Sequence, residues 1–286
     1  MTSHSTALIT DSICDLPEPL LRQYDIGVVP CYILWGSEQL RDRIDIQPEE
    51  FYRRLASDPV HPTTAQPTPR DFLRAYEAAH QAGAREIVVI CVSSAMSGTI
   101  ESARQAAAMI DLPIHIVDSK GPTMSLGWQV LAAARTRAAG GDAQAMIAAA
   151  DRVRASLVLL VAMDTLEYLY RGGRIGNATR WIGALLNVKP LVYIDHATGL
   201  VEAGERVRTR KRAIEALYEG FFRQFEGRRG PLHICVLHGN AREEAERLAE
   251  RIQAEFSPVE LLITITTPVL GVHTGPGALA LSGYVG

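Results

Sequence analysis

The run at residues 86–92, Glu-Ile-Val-Val-Ile-Cys-Val, constrains the possible fold more than any other segment of this chain. An almost continuous series of β-branched residues is typical of a strand that is covered on both faces, as in a parallel sheet. The segment before it begins as a helix should: Thr68 is a hydroxyl N-cap, Pro69 takes the first helical position, and Asp71 follows three residues after the cap. The run therefore predicts a buried strand preceded by a capped helix.

The same alternation extends through the first half of the chain. A strand is predicted at residues 7–10, a helix at 97–110, a strand at 114–117 and a helix from about residue 124. Strands that alternate with helices predict a parallel sheet with helices on both of its faces. We therefore predict an α/β fold with a Rossmann-like parallel-sheet domain at residues 1–155.

The pattern changes near residues 140–142. Residues 188–194 and 200–207 flank a turn at 195–199 and predict a hairpin, and a last strand is expected at 261–266. Together with predicted helices, one of them at about residues 209–225, this order favours a C-terminal α+β domain at residues 156–286.

Composition and charge narrow the function. The chain has 47% hydrophobic but only 6% aromatic residues, so an aliphatic core is expected, and its net charge of −3 gives no electrostatic case for nucleic acid or an anionic membrane. We find neither a signal-peptide pattern nor an apolar stretch long enough for stable membrane insertion, and therefore expect a cytoplasmic protein. The four cysteines form no CxxC pair and are expected to be buried and reduced.

Ligands of parallel sheets bind in the loops after the carboxyl ends of the strands. The loop at residues 93–99 is the most informative, because free N–H groups at a helix start and the hydroxyls of Ser93, Ser94 and Ser97 could hold a carboxylate. The same hydroxyls could simply cap the helix. Gly98 lies in this loop.

Three further loops are rich in small donors. They are Asp11-Ser12, residues 63–67, and residues 271–277, which contain His273, Gly275 and Gly277. His273 could donate to an anion or satisfy the core, whereas the two glycines are expected to serve backbone shape. Arg174, in a turn after two glycines, could reach an anion or be solvated at the surface.

The main enzyme signatures are missing from the sequence. We find no phosphate-binding GxxxxGK[ST] loop, no GxSxG elbow and no metal-spaced cluster of histidine and cysteine. Hydroxyls without an evident base favour binding over catalysis. One alternative stays open: an enzyme for a small acid or phosphorylated substrate that uses Asp11, Ser93 and His273.

Taken in order, these loops and several further segments resemble the DegV family, whose best-understood members are the fatty-acid-binding subunits of bacterial fatty acid kinase. The resemblance covers nearly the whole chain, and its specificity lies in the order of the segments. They are Thr10-Asp11-Ser12 with Asp15-Leu16-Pro17, Asp42 and Asp45 before Glu50-Phe51-Tyr52, Thr64-Ala65-Gln66-Pro67, Ser93-Ser94 with Ser97-Gly98-Thr99, Val117-Asp118-Ser119 with Ser125-Leu126-Gly127, Leu166-Glu167-Tyr168-Leu169 with Gly172-Gly173-Arg174-Ile175, Lys189-Pro190, Val207-Arg208-Thr209-Arg210-Lys211, and Pro268-Val269 through Gly277-Ala278.

The resemblance implies a lipid slot between the two domains. Family residues that bind the carboxylate of a long-chain fatty acid map onto Thr64, Ser93, Ser94 and His273, and Arg174 maps to the exposed, kinase-facing end. It further implies that the protein has no catalysis, metal or cofactor of its own. A separate kinase catalytic subunit would phosphorylate the bound carboxylate to an acyl phosphate for phospholipid synthesis. A lipid-responsive regulatory protein, whose lipid occupancy controls a protein partner, stays as an alternative to this role.

Two departures from the family pattern concern the polar end of the slot. Ala65 stands where a serine is usual and Val272 where a threonine is usual. Each removes a hydroxyl that could reach the acid, so we expect a different polar network around it.

Overall fold

The computed structural model describes residues 5–181 and 188–286. The strands of the N-terminal half are β1 (Thr6–Asp11), β2 (Ile26–Val29), β3 (Tyr32–Trp35), β4 (Glu38–Arg41), β5 (Thr63–Ala65), β6 (Glu86–Cys91) and β7 (Ile114–Asp118). The helices of this half are α1 (Glu18–Gln23), α2 (Pro48–Leu55), α3 (Pro69–Gln81), α4 (Thr99–Ala107), α5 (Met124–Ala138) and α6 (Ala143–Ser156).

A four-stranded parallel sheet, in the order β2-β1-β6-β7, organises this half. Successive residues of β6 enter different hydrophobic clusters: Val88 and Ile90 join one, Ile87 and Val89 the other. Side chains of a strand alternate between the faces of a sheet, so both faces of β6 are covered, as its sequence predicts. The predicted capping box of α3 is present as well.

A small antiparallel sheet, in the order β4-β3-β5, is separate from the parallel one. The sequence patterns described above do not predict this sheet. Its strand β5 presents Thr64 opposite Ile33 of β3. The hydroxyl that the family resemblance singled out thus lies on a short strand fixed by pairing.

The C-terminal half contains, in chain order, the strands β8 (Val158–Ala162), β9 (Lys189–Asp195), β10 (Leu200–Val207), β11 (Leu232–His238), β12 (Glu260–Ile265) and β13 (Leu279–Val285). Its helices are α7 (Glu167–Arg171), α8 (Arg210–Arg223), α9 (Arg242–Phe256) and α10 (Pro268–Thr274). The strands form one mixed sheet in the order β10-β9-β8-β13-β11-β12, in which only β11 and β12 pair in parallel.

Two sequence expectations for this half were wrong. The last strand is not the one predicted at 261–266, because β13 follows it and lies in the centre of the sheet between β8 and β11. Residues 271–274, expected in a loop, form the second half of α10. Both elements depend on partners far away in the sequence, which local patterns do not reveal.

The predicted class is confirmed: a parallel four-stranded N-terminal sheet is joined to a C-terminal domain with a mixed sheet. Helix α5 lies between the two sheets and packs against both β1 and β13. The domain boundary between residues 155 and 156 stays a prediction; α6 ends at Ser156 and β8 begins at Val158.

Candidate functional site

A cavity of about 310 Å³ lies between the two domains. Its walls are mainly aliphatic. Leu159 and Val161 of β8 face it together with Val192 and Ile194 of β9, because alternate residues of a strand share one face. The N-terminal domain contributes Ile13, Cys31, Val92 and Met96. Such a space suits an apolar chain, and the predicted slot between the domains is present.

The polar part of the wall is formed by a few side chains from both domains. Thr64 of β5 and His273 of α10 are hydrogen-bonded, with 2.9 Å between Oγ1 and Nε2. Gln66, Ser97 and Arg174 line the same cavity. The structure therefore brings together two predicted carboxylate ligands that lie 209 residues apart in the sequence.

His273 is neutral at physiological pH. Burial lowers the pKa of its imidazole to about 4, and the positive charge of Arg174 acts in the same direction. Its Nδ1 is buried and has no hydrogen-bond partner among the described residues. Gly172 covers this side of the ring so closely that a Cβ there would collide with Nδ1.

These contacts assign the proton of His273. A buried N–H without an acceptor is less tolerable than a lone pair without a donor, so we place the proton on Nε2. The Nε2–H group then donates to Oγ1 of Thr64. The hydroxyl hydrogen of Thr64 is left free to donate into the cavity, where a carboxylate oxygen could accept it.

Ser93 and Ser94 do not line the cavity. The Ser93 hydroxyl donates to the carbonyl oxygen of Gly199 at 2.9 Å, and the Ser94 hydroxyl donates to the carboxylate of Asp118. A carboxylate contact from Ser93 would require this hydroxyl to leave Gly199, the end of the turn in the C-terminal hairpin. The assignment of Ser93 and Ser94 as carboxylate ligands therefore stays a prediction, and the geometry gives Ser93 a role in joining the domains.

A Ser93→Ala variant separates these two roles. If Ser93 only joins the domains, we expect the free energy of unfolding to fall by about 1–2 kcal/mol, the scale of one buried hydrogen bond, and ligand affinity to change little. Chemical denaturation and a ligand titration on the same preparation measure both. An affinity loss as large as that of a Thr64 variant would restore Ser93 to the carboxylate site.

Ser97 and Gly98 lie near the cavity for different reasons. Ser97 lines it, and its hydroxyl is hydrogen-bonded to that of Thr99 at 2.8 Å. Gly98 allows the amide of Gln66 to pack directly over its backbone, where a Cβ would collide with it. The amide then donates to Ser102, which links β5 and α4.

Asp11 and Ser12 support the loops without lining the cavity. The Asp11 carboxylate accepts the N–H groups of Val92 at 2.8 Å and Ile13 at 3.0 Å, and thereby joins the ends of β1 and β6. Burial raises its pKa to about 7. Ser12 donates to the carboxylate of Asp42 at 2.7 Å.

Gly275 and Gly277 serve backbone shape, as expected. Both have a positive φ, 72° and 77°, which favours glycine. A Cβ at Gly275 would collide with the ring of Tyr168, and one at Gly277 would crowd the carboxylate of Asp164. Neither glycine brings a side chain to the site.

Arg174 bridges the domains beside the cavity. Its Nε donates to the carbonyl oxygen of Met96 at 3.0 Å, and its Nη1 donates to that of Gly172 at 2.7 Å. The side chain is exposed and also lines the cavity. It therefore offers a positive charge both to a bound ligand and to the surface.

Sequence reasoning gave no role to Asp15 and Asp42, whose side chains contact the start of α10. Both are fully buried. For Asp15 the local signal is an acid between the apolar residues Cys14 and Leu16, whereas Asp42 lies between two arginines and gives no such signal. Their partners lie more than 200 residues away and cannot be read from spacing.

The described ranges contain neither a candidate metal-binding cluster nor a candidate membrane-spanning helix. Residues 5–181 and 188–286 contain no group of three or more histidine, cysteine, aspartate or glutamate side chains suited to a metal ion. No helix in the same ranges has the length and apolar character needed to cross a membrane.

Comparison with known proteins places the chain in a family. The family model DegV, described as an uncharacterised protein of the DegV family, matches residues 5–285. A DegV domain-containing protein of Streptomyces coelicolor is 34% identical over 281 residues, which are 98% of either protein. Protein DegV of Bacillus subtilis is 30% identical over 277 residues, covering 96% of this chain and 97% of the relative.

Solved structures agree with these matches. One, described as fatty acid binding of a DegV family protein from Thermus thermophilus, has a TM-score of 0.91 at 32% identity and covers 98% of this chain and 99% of that one. Another, described as DegV, a fatty acid binding protein from Bacillus subtilis, has a TM-score of 0.89 at 29% identity, with coverage of 98% and 99%. The chain belongs to the DegV family.

Proposed function

We propose that this protein binds a long-chain fatty acid in the cavity between its domains and presents the carboxylate to a separate kinase catalytic subunit, which forms an acyl phosphate for phospholipid synthesis. The observation that carries the proposal is the hydrogen-bonded pair of Thr64 and His273 in the wall of an otherwise aliphatic cavity. The relatives from Thermus thermophilus and Bacillus subtilis, described as fatty acid binding, support the ligand class.

The affinity for a fatty acid should depend mainly on hydrogen bonds to its carboxylate, such as the one from the pair of Thr64 and His273. About fourteen buried methylenes at roughly 0.8 kcal/mol each contribute about 11 kcal/mol. Association itself costs on the order of 4–15 kcal/mol. Burial of the chain therefore only about offsets that cost, and each hydrogen bond to the carboxylate, at about 1.5–3 kcal/mol, sets the affinity.

The charge around the pair suits an anion. Because His273 is neutral, the positive charge comes from Arg174, while Thr64 supplies a hydroxyl donor. Ser97 adds a second hydroxyl to the lining. A carboxylate held by neutral donors and one partly solvated cation can be bound without neutralising it completely, so it stays nucleophilic enough to attack a phosphoryl donor.

Presentation is tested with the loaded protein, ATP and a fatty acid kinase catalytic subunit, with acyl phosphate trapped as the hydroxamate. We expect hydroxamate only when both proteins are present. Product from the isolated chain with ATP would favour a small-acid enzyme. If the fatty-acid-loaded protein gives no hydroxamate with ATP and the kinase catalytic subunit, the result would contradict presentation and favour a lipid-responsive regulatory protein.

Arg174→Ala tests the kinase-facing prediction. Since Arg174 is exposed but contacts only backbone carbonyls in the described residues, we expect its loss to slow transfer roughly tenfold, the scale of one charged interface contact, with a smaller effect on fatty acid affinity. Arg171→Ala is the matched control, because Arg171 pairs with Glu167 at the surface of the neighbouring helix. Equal transfer rates for the Arg174 variant and wild type would contradict this role.

A further inference from the structure

Helix α10 carries His273 but lacks an N-terminal cap of its own. Its N-cap residue is Thr267, whose side chain makes no capping hydrogen bond and whose buried Oγ1 has no partner among the described residues. Pro268, the first helical residue, has no N–H group to donate. A seven-residue helix is not stable by itself. Its position must therefore be set by groups outside it.

Two carboxyl groups from the N-terminal domain supply these contacts. The N–H group of Thr267 donates to Oδ1 of Asp15 at 2.9 Å, and the N–H group of Val269 donates to Oδ1 of Asp42 at 3.3 Å. These N–H groups would otherwise be unpaired at the positive end of the helix. The start of α10 is thus capped from the other domain.

Each carboxyl group is itself held in place. The second oxygen of Asp42 accepts the Ser12 hydroxyl at 2.7 Å, and the second oxygen of Asp15 accepts the hydroxyl of Thr123. Asp15 is 0% and Asp42 1% exposed. Neither can move toward solvent without breaking these bonds, so both act as fixed points for α10.

Further contacts pack α10 and the residue before its N-cap against the N-terminal domain. Gly271 lies so close to Phe51 that a Cβ would collide with its ring, and the hydroxyl of Tyr52 is 2.6 Å from that of Thr266. His273 follows Val269 by four residues, or roughly 6 Å along the helix axis. A shift of about 1 Å at the start of α10 would therefore move His273 by a similar distance and break its hydrogen bond with Thr64.

We propose that Asp15 and Asp42 are positioning residues that cap α10 from the other domain and thereby hold His273 against Thr64. This rests on the proposed function, which gives the pair of Thr64 and His273 its role in binding the carboxylate. The position of His273 can nevertheless be observed without any fatty acid. The two claims can therefore fail separately.

The test combines ring ¹⁵N NMR of His273, assigned with a His273→Gln variant, and titration with a fatty acid such as palmitate. We expect Asp42→Ala and Asp15→Ala to shift the His273 ring signals of the free protein and to weaken palmitate binding roughly tenfold, as for one lost hydrogen bond to a charged group. Asp42→Asn and Asp15→Asn keep an acceptor oxygen and should restore both readouts.

Asp71→Ala is the matched control. Asp71 is also buried and caps a helix, but its bonds with Thr68 and Tyr32 stay within the N-terminal domain. The Asp71→Ala protein should be less stable than wild type, but its His273 ring signals should not shift. If Asp42→Ala does not fold, Ser12→Ala decides, because it removes the hydroxyl that holds Asp42 and should produce a smaller shift in the same direction.

The outcomes are distinct. Folded Asp15→Ala and Asp42→Ala proteins with wild-type His273 signals, an unshifted Ser12→Ala protein, or an Asp71→Ala protein with equal shifts would each overturn the positioning role. Unchanged palmitate affinity in Thr64→Val would instead overturn the proposed carboxylate site. In that case the His273 signals still decide whether the two carboxyl groups position α10.

Discussion

Thr64→Val should weaken long-chain fatty acid binding by about 10- to 100-fold, corresponding to the loss of one hydrogen bond to a charged carboxylate. Valine keeps the shape of threonine but has no hydroxyl, so the aliphatic wall stays intact. The loss should be similar for His273→Ala, because the histidine directs the Thr64 hydroxyl hydrogen toward the cavity. Fluorescent fatty acid displacement measures both.

Because Thr64 and His273 act through one hydrogen bond, their effects should not add. The double variant is expected to bind little more weakly than either single variant. Thr64→Ser keeps the hydroxyl and should retain most of the affinity. Thr136→Val is the control, since in the part of the chain that the structure describes the Thr136 hydroxyl bonds only to the carbonyl oxygen of Ala132 within α5. Equal affinity for Thr64→Val and Thr64→Ser would contradict the carboxylate role of Thr64.

Replacing Asp42 by asparagine should stabilise the protein more at pH 8 than at pH 5. The quantity compared is the free energy of unfolding of Asp42→Asn minus that of wild type, taken at each pH. Burial raises the pKa of Asp42 to about 7, far above its value in the unfolded chain near 4. Stability from such a group is fully present below pH 4 and is lost as the pH rises from there through 7, because the unfolded chain releases its proton near pH 4 whereas the folded protein holds it until about pH 7. Asparagine cannot ionise and avoids this loss.

The expected change in the stability difference between pH 5 and pH 8 is on the order of 2–3 kcal/mol. The variant must be compared with wild type, because burial also lowers the pKa of His196 and of His273 to about 4. The stability contributed by these histidines rises with pH and opposes the loss from the buried aspartates in the wild-type profile. Urea denaturation at the two pH values measures the difference. A stability difference independent of pH would mean that Asp42 stays ionised in the folded protein.

Much of the fold follows from local sequence signals. The capping box at Thr68 and Asp71 places the start of α3, and the turn at residues 195–199 places the hairpin of β9 and β10, because each signal is complete within a few residues. Strand β13 was missed for the opposite reason. It is central only because β8 and β11, distant in the sequence, pair with it.

For the candidate site, too, the sequence revealed local signals but not partners that are distant along the chain. Composition and spacing singled out His273 and the loop at residues 63–67 as possible anion donors, but they could not pair Thr64 with His273; the family resemblance identified both as carboxylate ligands. The direction of the Ser93 hydroxyl depends on Gly199, which a reading of the loop alone cannot include. The carboxyl groups of Asp15 and Asp42 were missed because their partners in α10 belong to the other domain.

Fatty acid binding is tested most directly by mass spectrometry of what the purified protein carries from cells. Native spectra give the stoichiometry, and extraction after denaturation identifies the ligand. We expect about one long-chain fatty acid per chain, depleted in Thr64→Val but not in Thr136→Val. A protein that is empty as isolated, and stays empty after incubation with long-chain fatty acids, would contradict fatty acid binding in the cavity between the domains.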